Sequence, residues 1–257
     1  MNNNHSSTDH SLAGKVVLVG AGAKNLGGLI SRTAGSAGAK VVVHYHADAT
    51  APEAEATVAA VKAAGGEAVA VQADLTVVAQ VERVFATALE TFGRIDVAVN
   101  TAGLVLRKPI TETTEAEYDL MHAVNAKAAY FFIREAGKRL ADGGRVITVL
   151  TSLLAAFTDG YSTYAGAKAP VEHYTRAAAK EFAARGISVN NVAPGPMDTP
   201  FFYGQETPER VAFHQSQAMG GRLTRIEDIA PIVTFLATEG GWITGQTLFA
   251  NGGYTTR

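Results

Sequence analysis

From Lys15 onward the chain alternates short, β-branched apolar runs with longer stretches of helical periodicity, and this alternation restricts the fold more than any other feature. The strand candidates are VVLV (Val16 to Val19), VVVHY (Val41 to Tyr45), AVAVQ (Ala68 to Gln72), DVAVN (Asp96 to Asn100), RVITVL (Arg145 to Leu150), SVNNV (Ser188 to Val192) and TLFA (Thr247 to Ala250). Between them lie helical stretches such as Val77 to Thr91, Glu115 to Leu140 and Tyr164 to Ala184. Strands separated by helices pair in parallel, and the helices must cover both faces. The pattern therefore predicts an α/β fold, a doubly wound parallel sheet of about seven strands. No linker or repeat marks a second domain, so one domain is expected over residues 12–257. The polar opening MNNNHSSTDHS, residues 1–11, reads as a flexible tail.

Sheets of this kind bind ligands beyond the carboxyl ends of their strands. The segment VGAGAKNLGGLI (Val19 to Ile30) joins the first strand to a helix and resembles a phosphate-cradling loop in which a glycine has become asparagine. A strict G-x-G-x-x-G does not fit Gly20, Gly22 and Gly27, because four residues separate the last two. The alternative G-x-x-x-G-x-G falls on Ala21, Asn25 and Gly27. Asn is the non-glycine residue that most readily adopts positive φ, so Asn25 is a fair substitute and Ala21 a weaker one. Further along, Asp74 follows the third strand, Asn100 to Gly103 end the fourth, Thr151 and Ser152 end the fifth, and PGPMDT (Pro194 to Thr199) follows the sixth. Each alone is an ordinary turn signal. Their common placement points to a site.

Composition excludes several functions. A formal net charge of −2 argues against a nucleic-acid surface, and no apolar run approaches the roughly 18 residues of a membrane span. The N-terminus lacks a signal-peptide core, so a cytoplasmic protein without membrane association is expected. With no cysteine there is no disulfide, zinc–thiolate site or thiol nucleophile. His44 and His46 alternate along one strand, but no carboxylate cluster joins them, and no metal site is expected.

Taken with the YAGAK run (Tyr164 to Lys168), Asn125 in VNAKAAYFF and the late ITGQTLFANGG, these features resemble the short-chain dehydrogenase/reductase family. The likeness spans Leu12 to Tyr254 and lies on the side of the 3-oxoacyl-carrier-protein reductases. One departure is NTAG where the family usually has N-N-A-G. The resemblance implies a Rossmann-type fold and four catalytic residues, Asn125, Ser152, Tyr164 and Lys168. At i and i+4 on a helix, Tyr164 and Lys168 share a face, and a neighbouring ammonium favours a phenolate. Tyr164 is thus the expected general acid for ketone reduction, and Ser152 would polarise the carbonyl. The family's serine usually precedes the tyrosine by about thirteen residues; Ser152 precedes it by twelve and Thr151 by thirteen. We favour Ser152, with Thr151 as the alternative. By resemblance Asn125 holds the water of a proton relay with Lys168.

The resemblance also implies a cofactor site formed by Gly20, Gly22, Lys24, Asn25 and Leu26, by Asp74 and Leu75, and by Asn100, Ala102 and Gly103. Tyr164, Lys168, Pro194, Gly195, Met197 and Thr199 complete it. The second strand ends VVVHYHADA without the carboxylate that NAD sites use to hold the ribose, while Lys24 and His46 can meet a 2′-phosphate. NADPH is therefore expected to be preferred, with NAD possible. The aromatic segment 198–222 lies where the family carries a substrate lid. Leu104, Phe157, Tyr161, Phe201, Phe202 and Tyr203, with Val105 and Phe213, are the candidate pocket walls, and Arg107 and His214 offer one charge or hydrogen bond. The helices carrying AYFFIREAGKRL and VEHYTRAAAKEF have apolar or small residues on more than one face, as in the family's homotetramers. The expected function is NADP(H)-dependent interconversion of a ketone and a secondary alcohol. Two alternatives share the fold, a halohydrin-dehalogenase-like enzyme, which has arginine where this chain has Lys168, and a non-catalytic dinucleotide sensor.

Overall fold

In the computed structural model, residues 11–256 are described; the tail expected over residues 1–11 lies, but for Ser11, outside them. Seven strands form one sheet: β1 (Val16–Gly20), β2 (Lys40–Tyr45), β3 (Glu67–Gln72), β4 (Val97–Asn100), β5 (Arg145–Val149), β6 (Ser188–Pro194) and β7 (Thr247–Ala250). Their order is β3-β2-β1-β4-β5-β6-β7, and every pair is parallel. The chain winds outward from β1 to β3, then crosses back to place β4 on the other side of β1. This reversal opens a crevice at the carboxyl ends of β1 and β4, where Gly20 stands opposite Asn100.

Helices cover both faces because β1, β4 and β6 are buried along their whole length and present apolar residues to each side. One layer comprises α1 (Asn25–Ser36), α2 (Ala51–Ala63) and a helix near the C-terminus, Ile226–Ala237. Its core includes Ile30, Val61, Ile229 and Val233. The opposite layer contains α3 (Val78–Phe92), α4 (Glu115–His122), α5 (Ala128–Arg139) and α6 (Ser162–Glu181), packed through Phe85, Phe132, Ile133 and Val171. Phe85 and Phe132 meet edge to face at 5.0 Å.

The helix expected over Glu115 to Leu140 is interrupted. A π turn at Ala123–Lys127 separates α4 from α5 and turns Asn125 inward, 1% exposed. Apolar periodicity does not reveal such a turn, because its five residues are too few to establish a period of their own within a longer helical run. Segment 198–222 contains two short helices, α7 (Pro200–Tyr203) and α8 (Pro208–Ser216), each starting on a proline at its first turn. With these numbered, the Ile226–Ala237 helix is α9. No helix among the described residues is long and apolar enough to cross a membrane.

Candidate active site at the carboxyl edge of the sheet

The loop after β1 adopts the alternative glycine pattern. Ala21 (φ 55°) and Asn25 (φ 49°) are the two non-glycine residues at positive φ among those described, so both substituted positions keep the backbone that glycine would supply. Gly27 has no substitute: a Cβ there would lie 2.1 Å from the Ala21 carbonyl oxygen. At Gly20 a Cβ would crowd Asn100 Oδ1 at 3.1 Å, and at Gly22 it would meet the Val19 oxygen at 2.8 Å. The strained Ala21 is held from both sides. Its N–H donates to His44 Nδ1 at 2.9 Å, and the Thr101 hydroxyl donates to the oxygens of Gly20 (2.8 Å) and Ala21 (3.3 Å). Thr101, the departure from the family's usual asparagine, thereby ties the fourth strand to the loop.

His44 also donates from Nε2 to the Ala73 oxygen at 2.9 Å, and burial pushes its pKa down to about 4. A neutral ring with both nitrogens engaged has none left for a metal shared with the exposed His46. Among the described residues no three His, Asp or Glu gather as a metal site. The α1 helix begins at Asn25 with Lys24 as an uncapped N-cap and no acidic residue in its first turn, leaving N–H groups and the positive dipole end free for an anion. Leu26 points into the core, so only its backbone faces the loop. Asp74 bends back on its own turn, accepting from Thr76 N (2.8 Å) and Thr76 Oγ1 (2.7 Å), while Leu75 is buried beside it. Burial raises the Asp74 pKa and these hydrogen bonds outweigh it, for a net lowering.

The predicted catalytic residues gather at the ends of β4 and β5. Tyr164 and Lys168 lie on the first turns of α6, both buried. Lys168 Nζ donates to the oxygens of Val149 (3.0 Å) and Ala102 (3.3 Å). Asn125 Nδ2 donates to the oxygens of Leu104 (2.8 Å) and Met121 (3.0 Å), and its Oδ1 accepts from Leu104 N at 3.2 Å. A Cβ on Gly103 would lie 3.2 Å from both Asn125 Oδ1 and Lys168 Nζ, so this glycine admits the two side chains together. Asn100 Oδ1 accepts from Ala102 N at 3.0 Å and shapes the same turn. Across the crevice, Gly195 follows Pro194 where a Cβ would meet Thr224 Oγ1 at 2.9 Å, Met197 bridges to Thr224, and Thr199 N donates to the Met197 oxygen at 2.8 Å.

One expectation is corrected. The Tyr164 phenol is not drawn down toward neutrality; burial pushes it up to about 12, and the Thr151 hydroxyl beside it offsets only part. Burial also lowers Lys168 to about 8, so in this pair desolvation outweighs mutual attraction. The hydroxyl beside Tyr164 is that of Thr151, the alternative to Ser152. Ser152 opens a 3₁₀ turn, and its hydroxyl donates to the Ala193 oxygen (3.1 Å) and accepts from Asn251 Nδ2 (3.0 Å).

A cavity opens beside Tyr164, lined by Thr151 and Ser152 and, of the candidate walls, by Val105, Tyr161, Phe201 and Phe202. Leu104, Phe157, Tyr203 and Phe213 do not line it. Phe157 is fully exposed, and the Tyr203 hydroxyl turns outward to Asp198 Oδ1 at 2.8 Å. In their place the walls include Leu153, Met197, Gln205, Glu206, His214 and Tyr254. Glu206, in GQETPER, has the sequence signature of a solvated loop charge; only its partners distinguish it.

At the other end of the crevice, Lys24 Nζ lies 3.5 Å from Glu53 Oε1, both half exposed. Asp48 accepts from Gln72 Nε2 at 2.8 Å, which holds its carboxylate against β3.

A family model described as enoyl-(acyl carrier protein) reductase matches residues 20–255. A short-chain type dehydrogenase/reductase of Picea abies is 36% identical over 94% of this chain and 93% of its own length. Among solved structures, a dehydrogenase from Burkholderia cenocepacia with bound NADP is 56% identical, with a TM-score of 0.94 over 98% of this chain and 97% of that one. The angucycline C-6 ketoreductase LanV with bound NADP is 33% identical, with a TM-score of 0.88 over 95% and 96%.

Proposed function

Because the chain belongs to the short-chain dehydrogenase/reductase family and is an NAD(P)-dependent enzyme of an alcohol/carbonyl pair, we propose that it reduces a ketone to a secondary alcohol with NADPH. The observation that carries this reading is the convergence of a buried Tyr164 and Lys168 with an anion-cradling loop at one switch point of the sheet. The loop fits a dinucleotide on its own geometry. Positive φ at Ala21 and Asn25, and glycines whose Cβ atoms would collide with neighbouring atoms, are what close approach to a pyrophosphate demands. The NADP in two similar structures supports the choice of cofactor, as does the absence of an acidic residue at the end of β2.

When bound, the nicotinamide supplies the hydride. The loop from Gly20 to Leu26 would hold the pyrophosphate, Asp74 and Leu75 the adenine, Asn100 to Gly103 the adenine ribose side, and Pro194 to Thr199 the carboxamide. Lys24 and His46 would meet the 2′-phosphate. Tyr164 gives its proton to the developing alkoxide, and a phenol held at about 12 is fully protonated at neutral pH, which suits reduction over oxidation. Thr151, next to Tyr164, donates a hydrogen bond to the carbonyl oxygen. Lys168, at about 8, is the stronger acid of the pair, so a proton passing from it to the Tyr164 phenolate moves downhill. Asn125 would hold the water through which that proton is replaced. Segment 198–222 acts as the lid over the carbonyl compound.

The assembly belongs to the same proposal. Tyr118, Leu120 and Tyr130 stand about half exposed on α4 and α5, and Trp242 is fully exposed, as expected of faces covered in a homotetramer. Light scattering that gives a monomer at micromolar concentration contradicts this. For the activity, NADPH is titrated by fluorescence and its oxidation is then followed over a panel of ketones. Binding with turnover supports the reading; binding without turnover on any carbonyl rejects it.

A further inference from the structure

Strand β2 lies between β1 and β3, and the loops that follow those two neighbours are the ones assigned above to the pyrophosphate and the adenine. One residue of β2, His44, reaches both loops. Its buried ring accepts at Nδ1 from Ala21 N at 2.9 Å and donates from Nε2 to the Ala73 oxygen at 2.9 Å. An amide N–H only donates and a carbonyl oxygen only accepts, so these partners fix the neutral tautomer with hydrogen on Nε2. The imidazole is rigid. The distance between the Ala21 amide and the Ala73 carbonyl is therefore set by the ring that joins them.

On the side of the glycine loop His44 acts twice, because its own carbonyl oxygen accepts from Gly22 N at 2.8 Å. The peptide before Ala21 and the peptide after it are both hydrogen-bonded to this one residue, which fixes φ and ψ at the Ala21 Cα. That φ is 55°, a region that an alanine enters only at a cost. On the other side, the Ala73 oxygen and the Asp74 nitrogen belong to one planar peptide group. His44 holds it at the oxygen, and Gln80 Oε1 holds it at the nitrogen, at 2.8 Å. Asp74 therefore leaves this group in a fixed direction before its carboxylate closes on Thr76.

We infer that His44 is a positioning residue for the cofactor, locking the pyrophosphate loop and the adenine turn to one another so that the adenosine half meets a pocket already assembled. Preassembly favours binding, because the ligand no longer has to order the two loops itself. The effect falls on affinity. Tyr164 and Lys168 follow β5, which is separated from β2 by β1 and β4, so proton donation at the carbonyl does not depend on the lock. The inference rests on the dinucleotide reading given above for the identity of the ligand.

Two variants test the lock. His44→Leu removes both ring contacts, whereas His44→Asn keeps an acceptor in the place of Nδ1 and is too short to reach Ala73. Calorimetry measures the binding of NADP+ and of adenosine 2′,5′-bisphosphate, and KM for NADPH and kcat are measured with a ketone that the enzyme turns over. Leaving a buried amide and a buried carbonyl without partners is expected to weaken both ligands about tenfold to a hundredfold in His44→Leu, with KM raised to match and kcat within about twofold. His44→Asn should weaken them by less, about threefold to tenfold. Affinities within about twofold of wild type in His44→Leu overturn the inference. So does a kcat that falls as far as the affinity, which would make His44 a general support of the fold. If the leucine variant does not fold, the asparagine variant decides by the same two readings. A wild type that binds neither ligand rejects the dinucleotide reading itself, and the inference falls with it.

Discussion

Acidification between pH 6.5 and 4 is expected to remove stability through one residue, His44. Its ring is buried at 2% exposure, with Nδ1 accepting from the left-handed Ala21 and Nε2 donating to Ala73. Burial, the largest cause, lowers its pKa from 6.5 to about 4. Between these values the unfolded chain binds a proton that the folded chain excludes, so stability rises with pH across that window and falls as pH drops through it. The gap corresponds to roughly 3 kcal/mol, at about 1.4 kcal/mol for each tenfold in proton concentration. Below about pH 4 both states are protonated and the loss levels off. Titrating carboxylates lose stability in the same range, so the quantity to measure is the difference between wild type and His44→Gln, which keeps an acceptor but does not ionise. Urea unfolding at fixed protein concentration, from pH 7 to 3.5, should show the wild type losing about 3 kcal/mol more than the variant. Parallel pH profiles would refute the assignment of a buried, neutral His44.

Gly27→Ala should abolish cofactor binding while Ala21→Gly is tolerated, because the new Cβ meets the Ala21 oxygen at 2.1 Å and the second change relieves strain; NADPH titration of both variants checks this. Thr151→Ala should lower kcat more than Ser152→Ala, by about tenfold or more, since removing one donor to a developing oxyanion typically costs 10²–10³. A larger loss in Ser152→Ala restores the sequence preference. Lys24→Ala should cut the NADPH over NADH ratio in kcat/KM by about tenfold, and Glu53→Gln should raise it by less than about fivefold, because a half-exposed ion pair is worth under about 1 kcal/mol. Unchanged ratios in both would remove Lys24 as the discriminator.

The sheet was legible because β-branched runs and helical periodicity are local signals; all seven strands fall within two residues of their expected bounds. Even the altered glycine loop was readable, since the left-handed tolerance of Asn is a property of the residue itself. Long-range consequences were not. His44 looked like half of an alternating histidine pair, and only packing against Ala21 and Ala73 reveals its use. Tyr164 and Lys168 were placed correctly on one helix, but the depth of burial, which sequence spacing does not report, reversed the expected direction of the phenol pKa. The lid aromatics showed the same limit. Segment 198–222 is too short and proline-broken for a periodicity that would separate inward Phe201 and Phe202 from outward Tyr203 and Phe213. Glu206 gave no signal, because a charge buried by distant partners is written in the sequence like any exposed one.

Proton donation by Tyr164 is the central claim, and single-turnover ketone reduction by Tyr164→Phe against wild type tests it most directly, with NADPH affinity measured on the same samples. The variant removes one oxygen from a buried ring and leaves the loop, Thr151 and Lys168 in place. The expected result is NADPH binding within about twofold of wild type and a rate lower by 10²–10⁴, the usual contribution of a positioned general acid. A variant that binds NADPH normally and keeps more than about a tenth of the wild-type rate would show that the proton comes from another group.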